Sequence, residues 1–215
     1  MKKCQQKYCA MTMLIVLATA CSPTGPVARV SEVDIPREEN NRELQRELGY
    51  YEGQGIVLSD QEQEMVKTIV IDRLINNVLL EEAAVAQGIT RESLAEEIDV
   101  EYAWIQLNYI DETEFLAALE NSGYTADSFR EAMAQVTLID AFFEAVLDYS
   151  AVVVDPEHVQ TMVDMYLGIY GEEELDIVEL TYYCEDSNRQ DMLEELRQAY
   201  IDGLREETVI EYLDY

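Results

Sequence analysis

The chain is poor in residues that form reactive sites or crosslink a fold. It has one histidine and four cysteines among 215 residues. Cys4 and Cys9 fall in the N-terminal segment described below, and Cys21 ends that segment. Cys184 is then left alone, so a disulfide framework is excluded and Cys184 is predicted to be a buried packing residue. Packing alone must therefore stabilise the fold.

Metal, nucleotide and nucleophile motifs are also missing. The chain has no second histidine, no cysteine pair at ligand spacing and no calcium loop. No glycine-rich phosphate loop follows a predicted strand, and no nucleophile turn accompanies His158. We therefore predict no catalytic residue, no metal and no cofactor, with His158 on a helix surface.

Positive charge is scarce. Fourteen lysines and arginines face 45 acidic residues, which gives a formal charge of −31. Such a field repels nucleic acid and anionic lipid, so we predict no nucleic-acid partner. The acidity is typical of a soluble protein or one from a saline habitat, and attraction of cationic partners is the alternative.

The N-terminus has the three parts of a secretory signal: basic residues, a short apolar run at residues 10–18, and small residues before Cys21. The apolar run is too short to span a bilayer, which needs about 20 residues. Its end resembles the lipobox of bacterial lipoproteins. That resemblance implies a signal peptide at residues 1–20 and lipid on Cys21, which anchors the protein to a membrane. Ser22 resembles the sorting pattern for the outer membrane, with the protein facing the periplasm. An ordinary secreted protein with a chance cysteine is the alternative.

The pattern along the rest of the chain predicts a mainly α protein with a few short terminal strands. A Pro/Gly tether covers residues 21–27. Helical spacing and N-cap residues predict successive helices up to residue 168. Residues 169–215 are predicted to be a strand–helix–strand segment, with strands near residues 175–183 and 208–215. The expected helix starts are Pro36, Ser59, Thr90, Asp111, Thr125 and Asp155; glycines at 49, 53 and 55 are expected to end the first helix.

Several segments, in order, resemble the SurA/PrsA-type chaperone domain. They are residues 30–48, residues 72–89 with Asp72-Arg73-Leu74-Ile75 and Gly88-Ile89, residues 115–130, and residues 152–166. The resemblance implies a helical chaperone domain over residues 28–168 that binds unfolded or newly exported polypeptides in the bacterial envelope. Many relatives also carry a parvulin prolyl isomerase, whose first strand has a histidine before two apolar residues. Asp176-Ile177-Val178-Glu179-Leu180-Thr181 has none. Residues 169–215 are thus interpreted as a segment that completes the core, or as a parvulin remnant.

A chaperone of this kind needs an incompletely filled apolar groove, for which aromatic side chains are suited. The candidates for its walls are Tyr50, Tyr51, Tyr102, Trp104, Tyr109 and Tyr124. Packing in the core is the alternative for each. The leading hypothesis is an ATP-independent chaperone. The alternatives are a reduced prolyl isomerase and an assembly lipoprotein that holds one dedicated partner.

Overall fold

The computed structural model describes residues 25–171 and 176–213. Within them are seven α-helices and a small three-stranded sheet, which confirms the predicted fold class. The predicted signal peptide and Cys21 lie outside the described residues. The elements are β1 (Ala28–Val30), β2 (Val33–Ile35), α1 (Arg37–Gly53), α2 (Asp60–Ala86), α3 (Ala95–Gln106), α4 (Glu112–Asn121), α5 (Ala126–Val146), α6 (Pro156–Tyr170), α7 (Ile177–Glu207) and β3 (Ile210–Tyr212).

Side-chain caps fix the starts of most helices. Ser59 forms a capping box with Glu62 at the start of α2, and Thr125 forms one with Ser128 at the start of α5. Asp111 caps α4, as the sequence predicted. Thr90 does not cap α3: it starts a turn, and the helix begins five residues later.

The predicted strand at residues 175–183 is wrong. From Ile177 onward the chain is one 31-residue helix, α7, which Asp176 caps. Leu180 and Cys184 are one helical turn apart, and both are buried against Val159 and Val163 of α6. This packing needs side chains four residues apart on the same face of a helix. Cys184 is a buried free thiol, as predicted.

The sheet joins the two ends of the described chain. β1 is the central strand and pairs antiparallel with β2 and with β3. Val30 lies opposite Val33 on one side and opposite Ile210 on the other. The single predicted strand at residues 28–35 is therefore a hairpin, and the predicted final strand is β3. Ala28, Val30 and Ile35 of the sheet, with the preceding Val27, contribute to a core shared with α2.

Helix α2 is the centre of the fold. It contacts α1, α5, α7 and two strands, so it is buried on several sides. A second core lies where α2 meets α5 and α7, and a third lies between α6 and α7. Because α1 and α5 lie against different parts of α2, the space between them is open. That space forms a large cleft within the described residues.

Candidate functional site

A cleft of about 1350 Å³ lies between α1, α2 and α5. The turn from α4 to α5 and strand β2 also contribute residues to its lining. Its apolar lining includes Val78 of α2 and Val136 and Ile139 of α5. Val136 is 60% exposed, so the cleft wall displays aliphatic surface that no described element covers.

Charged side chains in the cleft are largely paired. Arg46 pairs with Glu43 at 2.5 Å, Arg73 with Glu47 at 3.0 Å, and Arg91 with Glu81 at 2.8 Å. Basic residues also make up a larger share of the charged residues that line the cleft than of those in the whole chain. The cleft arginines are Arg42, Arg46, Arg73 and Arg91; the acids are Asp34, Glu39, Glu43, Glu47, Glu81, Glu120 and Glu131.

Two hydrogen-bond donors in the cleft wall lack acceptors. The Arg91 guanidinium donates through Nη2 to Glu81 and to Gln135. Its Nε, and Nε2 of Gln135, are both shielded from solvent and have no partner within the described residues. Buried polar groups are normally hydrogen-bonded. Both N–H groups are enclosed by protein atoms, so they are unsatisfied donors within the wall rather than groups exposed to the cleft.

Burial also affects one acid of the cleft. Loss of solvent raises the pKa of Glu39, although the nearby Arg42 acts to lower it. The carboxylate of Glu39 is thus less well hydrated than those on the open surface.

Arg46 fastens the α4–α5 turn to α1. Its guanidinium lies 4.1 Å from the centre of the Tyr124 ring, and its Nε donates to the carbonyl of Gly123 at 3.1 Å. Gly123 has φ +73°, and an added Cβ would lie 3.1 Å from Cγ of Arg46. This turn therefore favours glycine for its backbone angle and for the close approach of Arg46.

We expect Gly123→Ala to destabilise the protein by about 1–2 kcal/mol, because alanine disfavours this φ and displaces Arg46. Gly203→Ala in α7 is the matched control: Gly203 is helical and a Cβ there would meet open space, so alanine should stabilise by about 0.5–1 kcal/mol. Urea unfolding followed by circular dichroism gives both values. Equal changes of the same sign in the two variants would contradict this role for Gly123.

Two of the six predicted aromatic residues line the cleft. Tyr50 of α1 is 62% exposed, and Tyr124 lies beneath Arg46. Tyr51 meets the Tyr50 ring edge-on at 5.9 Å, is not among the cleft residues, and packs against the core shared by α2 and the sheet. Trp104 is 66% exposed on α3 and is not among the cleft residues.

Tyr102 and Tyr109 belong to an aromatic cluster that joins α3, α4 and α5. Their rings lie 5.6 and 5.3 Å from the ring of Phe115, which is 1% exposed. Phe129 of α5 completes the cluster, 6.1 Å from Phe115 and 5.7 Å from Tyr124. Pairs at these distances stabilise a core beyond the area that they bury. The structure thus gives Tyr102 and Tyr109 a packing role.

Sequence reasoning missed the wall formed by α5. Ala132, Gln135, Val136 and Ile139 line the cleft from a side of the helix different from its core side. The sequence feature that could have revealed this wall is the width of the apolar face of α5. That face is wider than packing against a single neighbouring helix requires. Arg91 was missed because nothing in its sequence neighbourhood marks a cleft.

Among the described residues, neither a metal-binding cluster nor a histidine lines the cleft. The described residues contain no group of three His, Cys, Asp or Glu side chains that could hold a metal. His158 is exposed on α6 and is not among the cleft residues. Among residues 25–171 and 176–213, no helix is both long and apolar enough to cross a membrane.

Comparison with known protein families gave a match. A family model described as SurA-like N-terminal domain matches residues 9–142, which is more than half of the chain. The searches of curated proteins and of solved structures found no match to this chain. The matched range includes β1 to α4 and most of α5, and so every residue of the cleft wall.

Proposed function

Because this chain belongs to the SurA-like N-terminal domain family, which is of the chaperone type, we propose that it holds unfolded or newly exported polypeptides without ATP. One observation carries the proposal: the cleft of about 1350 Å³ between α1, α2 and α5. Small-molecule pockets typically measure about 300–1,000 Å³. A cleft of this size suits a polypeptide segment better than a metabolite.

The lining suits the backbone of such a segment. The sequence predicted a mainly apolar groove, whereas the cleft is lined by paired charges, tyrosines and a few aliphatic residues. The guanidinium of Arg42, an exposed residue that lines the cleft, supplies charged N–H donors for peptide carbonyls. Tyr50, Tyr124 and Val136 supply apolar contact area that accepts many side chains. The combination favours binding with little sequence preference.

We place this activity in the bacterial envelope, on the periplasmic face of the outer membrane, with lipid on Cys21 as the anchor. The support is the signal-like sequence that ends at Cys21 and the following Ser22. Several acyl chains hold a protein firmly, whereas one chain holds it only marginally. Nucleic acid is not a partner in this proposal, because the net charge of −31 opposes it.

Prolyl isomerisation is not part of the proposed function. The segment compared with the first strand of a parvulin, residues 176–181, forms the start of helix α7. The chain's one histidine, His158, is exposed on α6. Neither feature provides the site that such an enzyme needs.

The test is suppression of aggregation of a chemically denatured client, followed by light scattering without nucleotide. We expect Tyr50→Ala/Val136→Ser to weaken client binding about tenfold, since it removes two exposed contacts from the cleft. Val100→Ser/Trp104→Ala is the matched control, because it removes similar exposed surface from α3. The same preparation should not accelerate isomerisation of a proline peptide.

Circular dichroism establishes that both variants are folded. Equal loss of activity in the cleft and α3 variants would contradict the cleft as the binding site. A protein that does not suppress aggregation but captures one partner in a fixed ratio would favour the assembly lipoprotein.

A further inference from the structure

A helical hairpin separate from the cleft carries a second candidate surface. Helix α6 packs on the first part of α7 around the small core of Val159, Val163, Leu180 and Cys184. Two described cores elsewhere hold the sheet and the other helices. The hairpin contributes none of the residues that line the cleft.

Three tyrosines form an ordered patch on this hairpin. The ring of Tyr166 stacks with Tyr170 at 6.3 Å and meets Tyr183 edge-on at 6.0 Å. Tyr170 is 56% exposed and Tyr183 is 57% exposed. A hydrogen bond with Tyr183 raises the pKa of Tyr166 above its usual value. Tyrosines fixed in this way present large apolar surface at little entropic cost, as they do at the centres of interfaces.

The charge around the patch is almost entirely negative. The described part of the hairpin, residues 155–171 and 176–195, contains ten carboxylates and one arginine, Arg189. Glu179 and Asp186 lie four residues before and three residues after Tyr183, which places them on the same side of α7. The exposed aliphatic side chains of Met165 and Ile169 lie on the neighbouring helix.

We propose that this tyrosine patch, Tyr166, Tyr170 and Tyr183, binds a basic amphipathic segment of a partner polypeptide. Lysine and arginine are attracted both to carboxylates and to the faces of aromatic rings. The apolar side of such a segment covers the exposed rings and aliphatic side chains. A second copy of this chain fits poorly, because each copy brings the same acidic field.

The probe is a fluorescent peptide of about five helical turns with lysine and leucine at helical spacing, and its partner peptide has glutamate in place of lysine. Anisotropy titrations use the full-length protein. We expect the lysine peptide to bind at least about tenfold more tightly than the glutamate peptide. Tyr170→Ala/Tyr183→Ala should weaken binding about tenfold without any change in charge. Glu179→Gln/Asp186→Asn should also weaken binding and reduce its dependence on salt.

Two controls separate the patch from general attraction to an acidic protein. Tyr182→Ala removes a tyrosine of the same helix, 69% exposed, that makes no ring contact in the described structure, and it should bind as the parent does. Tyr170→Phe/Tyr183→Phe keeps the rings and should retain most of the affinity. Parent-like affinity in Tyr170→Ala/Tyr183→Ala, or equal binding of the glutamate peptide, would overturn the proposal. The cleft variant Tyr50→Ala/Val136→Ser should keep the parent's preference for the lysine peptide over the glutamate peptide, so failure here is distinct from failure of the proposed chaperone function.

Discussion

Phe142→Ala should cost about 3–5 kcal/mol of unfolding free energy, the usual range for a fully buried aromatic residue. The ring of Phe142 is 0% exposed and lies 5.6 Å from Tyr200 of α7. It also belongs to the core that includes Leu80 of α2 and Ile201 of α7. One side chain of α5 therefore holds α2 and α7 together, and its removal leaves a cavity at that junction.

Urea unfolding followed by circular dichroism measures this loss, which is a large part of the roughly 5–15 kcal/mol typical of a domain. Phe142→Leu is the control, since it keeps most of the volume and should cost about 1–1.5 kcal/mol. A loss below about 1 kcal/mol for the alanine variant would show that this junction is not a tightly packed core.

Arg205→Ala should give the second large effect, a loss of about 2–3 kcal/mol. Its guanidinium donates to Asn76 Oδ1 at 2.6 Å, to Asp72 Oδ1 at 2.9 Å and to the Tyr212 hydroxyl at 2.7 Å. Tyr212 in turn donates to Asp72 at 2.7 Å. Hydrogen bonds to a charged group contribute about 1.5–3 kcal/mol, and these join α7 and β3 to α2.

The pKa directions agree with this arrangement. Burial opposes the charge on Arg205, but its hydrogen bond to Asp72 and the nearby acidic groups raise the pKa of its guanidinium overall. Burial raises the pKa of Tyr212, which agrees with a protonated phenol that donates to Asp72. Chemical unfolding of Arg205→Ala tests the network. Arg205→Lys should recover part of the loss, because lysine keeps the charge but not the planar fork of donors.

Arg189→Ala is the matched control, since Arg189 is exposed on the same helix and should change stability by less than about 0.5 kcal/mol. Equal losses for the two arginine variants would contradict the network.

The sequence predicted those helices whose starts and faces are encoded locally. The capping boxes at Ser59 and Thr125, and the caps at Asp111 and Asp155, all mark helices in the structure. The first helix passes Gly49 and ends at Gly53 because Leu44, Leu48 and Tyr51 pack on the core. A glycine within a helix costs about 1 kcal/mol, which this packing offsets.

The error in α7 has a different origin. Residues 177–183 include β-branched and aromatic residues that favour a strand. Packing of Leu180 and Cys184 against α6 stabilises the helical conformation instead. The cleft could not be predicted for a similar reason. Its wall depends on how far apart α2 holds α1 and α5, which no local pattern around Gln135 or Arg91 records.

The position of β1 between β2 and β3 affects how the protein can be made. When the chain is synthesised or exported from its N-terminus, residues 28–30 emerge about 180 residues before Ile210–Tyr212. Until then one side of β1 has open backbone N–H and C=O groups, and such edges pair readily with other extended chains. Completion of the sheet is therefore a late event, delayed by closure of a very long loop. A nascent chain of this protein is therefore exposed to incorrect strand pairing until β3 pairs with β1.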